Sequence, residues 1–180
     1  NKHYKFFKNT IKHRDFVFRM CLEEFKNKPI NILEIGTSRT EYGKECDGWS
    51  TFFWCEHIKK YGGELTICDI SSNSIELCKN LINDYIDKIN INFICDDAIN
   101  YINDNYDLIF LDGSDDPHEM LKQFEKINRN KSKILCDDFH VKGKLIREKY
   151  RDFQLIKVNE IHEMAIYTKL KIVHDEATFL

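Results

Sequence analysis

The chain has 180 residues, of which 42% are hydrophobic and 32% charged, and its formal net charge at pH 7 is -3. This length suits one domain over residues 1–180, in which a helical segment at 1–28 precedes a core at 30–171. The slightly acidic balance disfavours nucleic acid as a partner, and no apolar run approaches the roughly 18 residues that a membrane span needs.

The cysteines and the start of the chain predict a cytoplasmic location. There are seven cysteines, an odd number, and no two of them form a C-x-x-C pair. Such a pattern is typical of thiols kept reduced in a cytoplasm. The first residues also lack the apolar segment of a secretory signal.

Helix-like and strand-like segments alternate along the chain. Helical patterns span Lys12–Lys26, Trp49–Tyr61, Ser74–Tyr85, Pro117–Ile127 and Val141–Tyr150. Short apolar runs predict strands at Asn31–Ile35, Glu64–Cys68, Ile91–Cys95, Asp107–Leu111 and Lys133–Cys136, followed by Phe153–Val158 and Glu163–Lys171. The alternation predicts an α/β fold with a doubly wound, mostly parallel seven-stranded sheet whose last strand is antiparallel.

Polar or flexible residues follow the first five predicted strands. They are Gly36, Asp69, Asp97, Asp112 and the pair Asp137 and Asp138. The carboxyl ends of parallel strands meet at one edge of a sheet, and ligands bind outside that edge. We therefore expect these residues to line one site.

The first half of this edge predicts a nucleoside-like ligand. Gly36 allows a close backbone approach, and Asp69 is placed to accept both hydroxyls of a ribose. Asp97 and the backbone of Ala98 are placed to contact a base, and the helix that begins in "DGWST" offers N–H groups to a carboxylate. The absence of G-x-G-x-x-G counts against NAD and FAD.

The second half predicts a divalent cation site. Asp112, Asp137 and Asp138 follow two strands that are neighbours in this topology, and oxygen ligands suit Mg²⁺, Mn²⁺ or Ca²⁺. Without a cation these carboxylates would repel and raise each other's pKa. The alternative is that Asp137 and Asp138 are loop acids that face water.

The segments "LEIGTS", "DGWST", "ICDIS", "CDDA", "YDLIFLDGS" and "ILCDD" resemble the class I S-adenosylmethionine-dependent methyltransferases, which have a Rossmann-like fold. The resemblance covers residues 30–170 and implies that Glu34, Gly36 and Ser50 surround the methionine part of the cofactor. It implies that Asp69 binds the ribose, and that Asp97 and Ala98 contact the adenine. Ser38, Gly48, Ile70 and Asp112 complete the expected cofactor-binding set. One departure is the long segment "TSRTEYGKECD" between Gly36 and Gly48.

The second half also resembles the metal-dependent O-methyltransferases that act on catechols and on sugar or antibiotic hydroxyls. The resemblance implies that Asp112, Asp137 and Asp138 hold Mg²⁺ or another divalent cation. The methyl acceptor would then be a small hydroxylated molecule such as a sugar or phenol. Sugar-type relatives carry D-G-x-H, whereas this chain has "DGSD" with Asp115 at the histidine position.

Three residues form the expected catalytic set: Asp112, with His118 and His140 as candidate general bases. On either side of His118, the residues Asp116, Pro117 and Glu119 predict a helix start with an N-cap, a proline at N1 and a capping box.

Two other functions stay open at this point, metal-independent methyl transfer to another acceptor and a non-catalytic nucleoside-binding module. The chain has few insertions that would cover the site, so we expect either an open site or a homodimer that closes it.

Overall fold

The computed structural model describes residues 14–40, 50–158 and 163–167. Its helices are α1 (Asp15–Glu23), α2 (Ser50–Tyr61), α3 (Ser72–Leu81), α4 (Asn83–Ile86), α5 (Pro117–Lys126) and α6 (Lys144–Lys149). Its strands are β1 (Ile30–Ile35), β2 (Gly63–Asp69), β3 (Asn90–Cys95), β4 (Leu108–Leu111), β5 (Lys133–Cys136), β6 (Phe153–Lys157) and β7 (Glu163–Tyr167). Within the described ranges, no helix has the length and apolar content of a membrane span.

The seven strands form one sheet in the order β3-β2-β1-β4-β5-β7-β6. Strands β1 to β5 pair in parallel, and β7 runs antiparallel to both β5 and β6. The predicted doubly wound, mostly parallel sheet is therefore confirmed. The strand order reverses between β1 and β4, which makes the gap beyond their carboxyl ends the expected ligand position.

Apolar side chains cover both faces of this sheet. On one face Ile32 packs in a cluster with Phe18 of α1 and Trp54 of α2. On the other face Leu33 packs in a cluster with Phe124 of α5 and Ile146 of α6. The central strands are nearly continuous apolar runs because neither of their faces meets water.

Two predicted helices differ from the observed ones. The segment Ser74–Tyr85 contains two helices that meet at Ile82, whose φ of -106° and ψ of 18° interrupt the first. The next residues, Asn83 and Asp84, have low helix propensity. The predicted helix Val141–Tyr150 begins only at Lys144, because the preceding residues form a turn in which Phe139 lies against Gly143.

The start of α5 agrees with the prediction in part. The Asp116 carboxylate accepts a hydrogen bond from the backbone N–H of His118 at 2.9 Å, and Pro117 is at N1. The capping-box prediction is wrong, since the Asp116 N–H donates to the Ser114 hydroxyl at 3.1 Å. Glu119 instead pairs with Lys122 at 2.6 Å.

Glu34 connects β1 to the first turn of α2. Its fully buried carboxylate accepts hydrogen bonds from the Ser50 hydroxyl, from the Thr51 hydroxyl at 2.6 Å and from Trp54 Nε1 at 3.2 Å. Burial raises the pKa of Glu34 from 4.5 to about 8, although these hydrogen bonds act in the opposite direction. The folded chain therefore holds the Glu34 proton to a higher pH than the unfolded chain does.

The loops after β1 and β4 touch through their backbones. Gly36 has a φ of +85°, and a Cβ atom there would lie 2.6 Å from Gly113 Cα and 2.7 Å from the carbonyl oxygen of Asp112. Position 36 requires glycine because its backbone is left-handed and because no space is left for a Cβ atom.

Glu34→Gln should flatten the pH dependence of stability. Between pH 4.5 and about 8 the folded chain binds a proton that the unfolded chain has released, so rising pH lowers the free energy of unfolding. The Glu34 contribution is on the order of 1 kcal/mol per pH unit. Urea unfolding at pH 5 to 8 measures it, with the exposed Glu148→Gln as the control. Equal slopes in wild type and Glu34→Gln would contradict the buried, protonated state.

Gly36→Ala should cost more stability than Gly62→Ala. Gly62 has a similar φ of +87°, but its nearest atom to a new Cβ is Pro29 Cβ at 3.5 Å. Both variants bear the left-handed penalty of about 1–2 kcal/mol, and Gly36→Ala adds a backbone clash of roughly 1–3 kcal/mol. Urea unfolding monitored by circular dichroism compares them, and equal losses would refute the close approach of the two loops.

Candidate active site

A cleft of about 270 Å³ lies beyond the carboxyl ends of β1 to β4. Its lining comprises Ile35, Gly36, Cys68, Asp69, Ile70, Asp96, Asp97, Ala98, Gly113, Ser114, Glu119 and Gln123. The structure thus brings together five residues of the expected cofactor-binding set, namely Gly36, Asp69, Ile70, Asp97 and Ala98. A larger groove of about 560 Å³ lies between α1 and α2, but none of the predicted site residues lines it.

Asp69 is held in a fixed orientation at the end of β2. One carboxylate oxygen accepts a hydrogen bond from the Thr37 N–H at 3.0 Å, and the other accepts one from the Ser71 N–H at 2.8 Å. An ionised carboxylate has about four acceptor positions, so two remain after these bonds. The half-buried carboxylate can therefore still accept a pair of ligand hydroxyl groups.

The residues after β2 and β3 offer an apolar surface and polar groups to the cleft. The side chain of Ile70 is 79% exposed although it lines the cleft. Asp97 caps a short 3₁₀ turn at Ala98–Asn100 by accepting a hydrogen bond from the Ile99 N–H at 3.0 Å. Only one of its oxygens is used in this way, and the other can accept a hydrogen bond from a ligand.

Four described members of the expected cofactor-binding set do not line the cleft, namely Glu34, Ser38, Ser50 and Asp112. The Glu34 carboxylate and the Ser50 hydroxyl bond to each other inside the core, and Ser38 is also buried. Gly48 lies outside the described residues. Glu34 and Ser50 therefore hold the first turn of α2 against β1. These bonds do not test whether either residue also contacts a cofactor.

Asp112, Asp137 and Asp138 converge beside the cleft. Each contributes one carboxylate oxygen to a group whose atoms lie within 4.8 Å of one another. Asp137 is only 1% exposed, so the alternative that it faces water is wrong. Asp138 has a φ of +44°, a left-handed conformation that aspartate tolerates better than most residues.

Two cations neutralise part of this acid cluster. Lys142 Nζ lies 2.7 Å from Asp112 Oδ1 and 3.6 Å from Asp138 Oδ2, and Arg14 Nη1 lies 2.9 Å from Asp137 Oδ2. Burial and the nearby Asp137 raise the pKa of Asp112, while Lys142 opposes the increase. Burial alone would lower the pKa of Lys142, but Asp112 and Asp138 outweigh it and the pKa rises.

The candidate bases lie at the surface. His118, in the first turn of α5, and His140, in the turn before α6, are both exposed, and neither lines the cleft. Asp115 is 78% exposed, and its Oδ1 lies 3.5 Å from Lys142 Nζ. The roles of His118 and His140 therefore stay predictions.

The sequence patterns did not identify three residues of this region. Lys142 and Arg14 bind the acid cluster, and Gln123 is a buried polar residue of α5 that lines the cleft. The sequence contained one indication for Lys142, because a lysine four residues after Asp138 can pair with it in a helical turn. Gln123 lies beside Phe124 on the buried side of α5 and has no comparable signal.

Comparisons with known proteins identify the fold. No protein-family model and no curated protein matches the chain. A methyltransferase from Geobacter sulfurreducens matches with a TM-score of 0.58 at 12% identity, covering 94% of this chain and 89% of its own. A ribosomal protein L11 methylase from Lactobacillus delbrueckii subsp. bulgaricus matches with a TM-score of 0.57 at 14% identity, covering 89% and 79%.

An S-adenosylmethionine-dependent O-methyltransferase from Thermotoga maritima matches with a TM-score of 0.61 at 13% identity, covering 88% of this chain and 66% of its own. These neighbours match the α/β architecture of the chain over most of its length. The chain has the Rossmann-like fold of the S-adenosylmethionine-dependent methyltransferases.

Proposed function

We propose that the chain is an S-adenosylmethionine-dependent methyltransferase that methylates a hydroxyl group of a small molecule such as a sugar or phenol. The observation that carries the proposal is the convergence of Gly36, Asp69 and Asp97 on one cleft, with Asp112 at its margin in the acid cluster. The fold of the neighbouring methyltransferases supports the same function.

The cleft side chains match the chemistry of the cofactor. Asp69 would accept the two ribose hydroxyls, for which its remaining acceptor positions suffice. Ile70 would cover one face of the adenine, and its exposed apolar surface would then leave water. The free oxygen of Asp97 would accept a hydrogen bond from the adenine amino group.

The acid cluster would bind the methyl-accepting substrate in the proposed site. Its three carboxylates fit a hard divalent cation in number and in ligand type. When bound there, Mg²⁺ would lower the pKa of an acceptor hydroxyl and hold its oxygen toward the methyl group. Asp112, Asp137 and Asp138 are the residues that would hold the ion.

The reaction requires one proton acceptor. The hydroxyl oxygen of the acceptor forms a bond to the methyl carbon as the carbon–sulfur bond breaks, and the hydroxyl proton passes to a base. His118 or His140 would take that proton, since the unprotonated nitrogen of a neutral imidazole can act as a general base. Each would have to approach from the surface, because neither lines the cleft.

One observation favours a second function within the same class. Lys142 already places an ammonium group against Asp112 and Asp138. A methyltransferase without a metal, acting on another acceptor, would need no further cation there. Sensitivity of turnover to EDTA distinguishes the two functions.

Asp69→Ala should weaken the binding of S-adenosylmethionine by roughly 10–100-fold, since it removes the acceptors for the ribose hydroxyls. Isothermal titration calorimetry measures the change. The control is the exposed Asp87→Ala, which should bind like wild type. A wild-type chain that binds no cofactor at millimolar concentration would contradict the function itself.

Asp112→Asn should lower methyl transfer at least roughly 100-fold and leave cofactor affinity within a few-fold of wild type. The assay is transfer of radiolabelled methyl from S-adenosylmethionine to a panel of sugars and phenols, with and without EDTA. The exposed Asp84→Asn serves as the matched control. Full activity of Asp112→Asn would exclude a role for the acid cluster, and unchanged turnover in EDTA would exclude the metal.

A further inference from the structure

Lys142 is a buried cation inside the acid cluster. Its side chain is only 4% exposed, and its ammonium contacts Asp112 at 2.7 Å, Asp115 at 3.5 Å and Asp138 at 3.6 Å. Burying an ammonium group is unfavourable unless carboxylates pair with it. These contacts therefore determine where the Lys142 side chain lies.

A tight turn directs Lys142 back over the strand ends. The Lys142 N–H donates to the carbonyl oxygen of Asp138 at 2.9 Å, and Asp138 has a φ of +44°. Phe139 is fully buried and packs against Gly143, where a Cβ atom would lie 2.1 Å from the ring. The turn is thus anchored on both sides of Lys142.

The charges of the cluster favour one cation at this position. Among the described residues, Asp112, Asp115, Asp137 and Asp138 bring four negative charges, whereas Lys142 and Arg14 bring two positive ones. Replacing the single charge of Lys142 by a divalent ion would bring the group closer to neutrality. Adding a divalent ion while Lys142 stays would place two cations against the same Asp112 and Asp138 carboxylates, where they would repel each other.

We propose that Lys142 is an internal counter-ion of the acid cluster that a divalent cation must displace in order to bind. The Lys142 side chain thereby sets the metal affinity of the site and holds the carboxylates together when no metal is bound. This inference rests on the proposed function only in taking Asp112, Asp137 and Asp138 as the metal ligands.

The test is the affinity of the chain for Mn²⁺, measured from the electron paramagnetic resonance signal of the free ion. Lys142→Met should bind Mn²⁺ at least roughly tenfold more tightly than wild type, because no ammonium competes. Lys144→Met, two residues along the chain at an exposed position, should bind like wild type. Equal affinities of wild type and Lys142→Met would overturn the proposal.

A second variant locates the ion. Adding Asp138→Asn to Lys142→Met should abolish the gain in affinity, because it removes one of the ligands. A gain that survives in the double variant would place Mn²⁺ elsewhere and overturn the proposal.

Folding supplies an independent readout. If Lys142→Met fails to fold in metal-free buffer, millimolar Mn²⁺ must restore a cooperative thermal transition, since the divalent ion replaces the missing charge. No restoration would overturn the proposal.

None of these measurements uses S-adenosylmethionine. A failure of cofactor binding would therefore refute the proposed function and leave the result on Lys142 standing.

Discussion

Carboxylates at the ends of two neighbouring strands repel one another, and the candidate site depends on how that repulsion is offset. Asp112, Asp137 and Asp138 lie close enough to share one cation, and Lys142 and Arg14 supply ammonium and guanidinium groups against them. Arg14 comes just before α1 and Lys142 comes just before α6. The cluster therefore ties both of these segments to the carboxyl edge of the sheet.

The rest of the site follows from the position where the strand order reverses. The helices that follow β1 and β4 pack on opposite faces of the sheet, and the backbones of Gly36 and Gly113 touch between them. Asp69 is oriented by the N–H groups of Thr37 and Ser71, so the loops after β1 and β2 fix its carboxylate before any ligand binds. Such preorganisation lowers the entropy that a ligand loses on binding.

Much of this arrangement could be predicted from the sequence, because apolar runs that end in an acid or glycine mark the carboxyl ends of parallel strands. Asp69, Asp97, Asp112 and Asp137 were found in that way. The direction of side chains was harder to predict. Glu34 lies within the apolar run of β1, but it shares the face of Ile32 and so points toward α2. Lys142 was missed because a tight turn replaces the first part of the predicted helix.

The structure of the chain with S-adenosylhomocysteine and Mn²⁺ tests the proposed function most directly. The ribose hydroxyls should lie within hydrogen-bonding distance of Asp69, the adenine against Ile70, and Mn²⁺ on Asp112 and Asp138 with the Lys142 ammonium moved away. A nucleoside bound outside the cleft, or a cleft that stays empty at millimolar ligand, would contradict it.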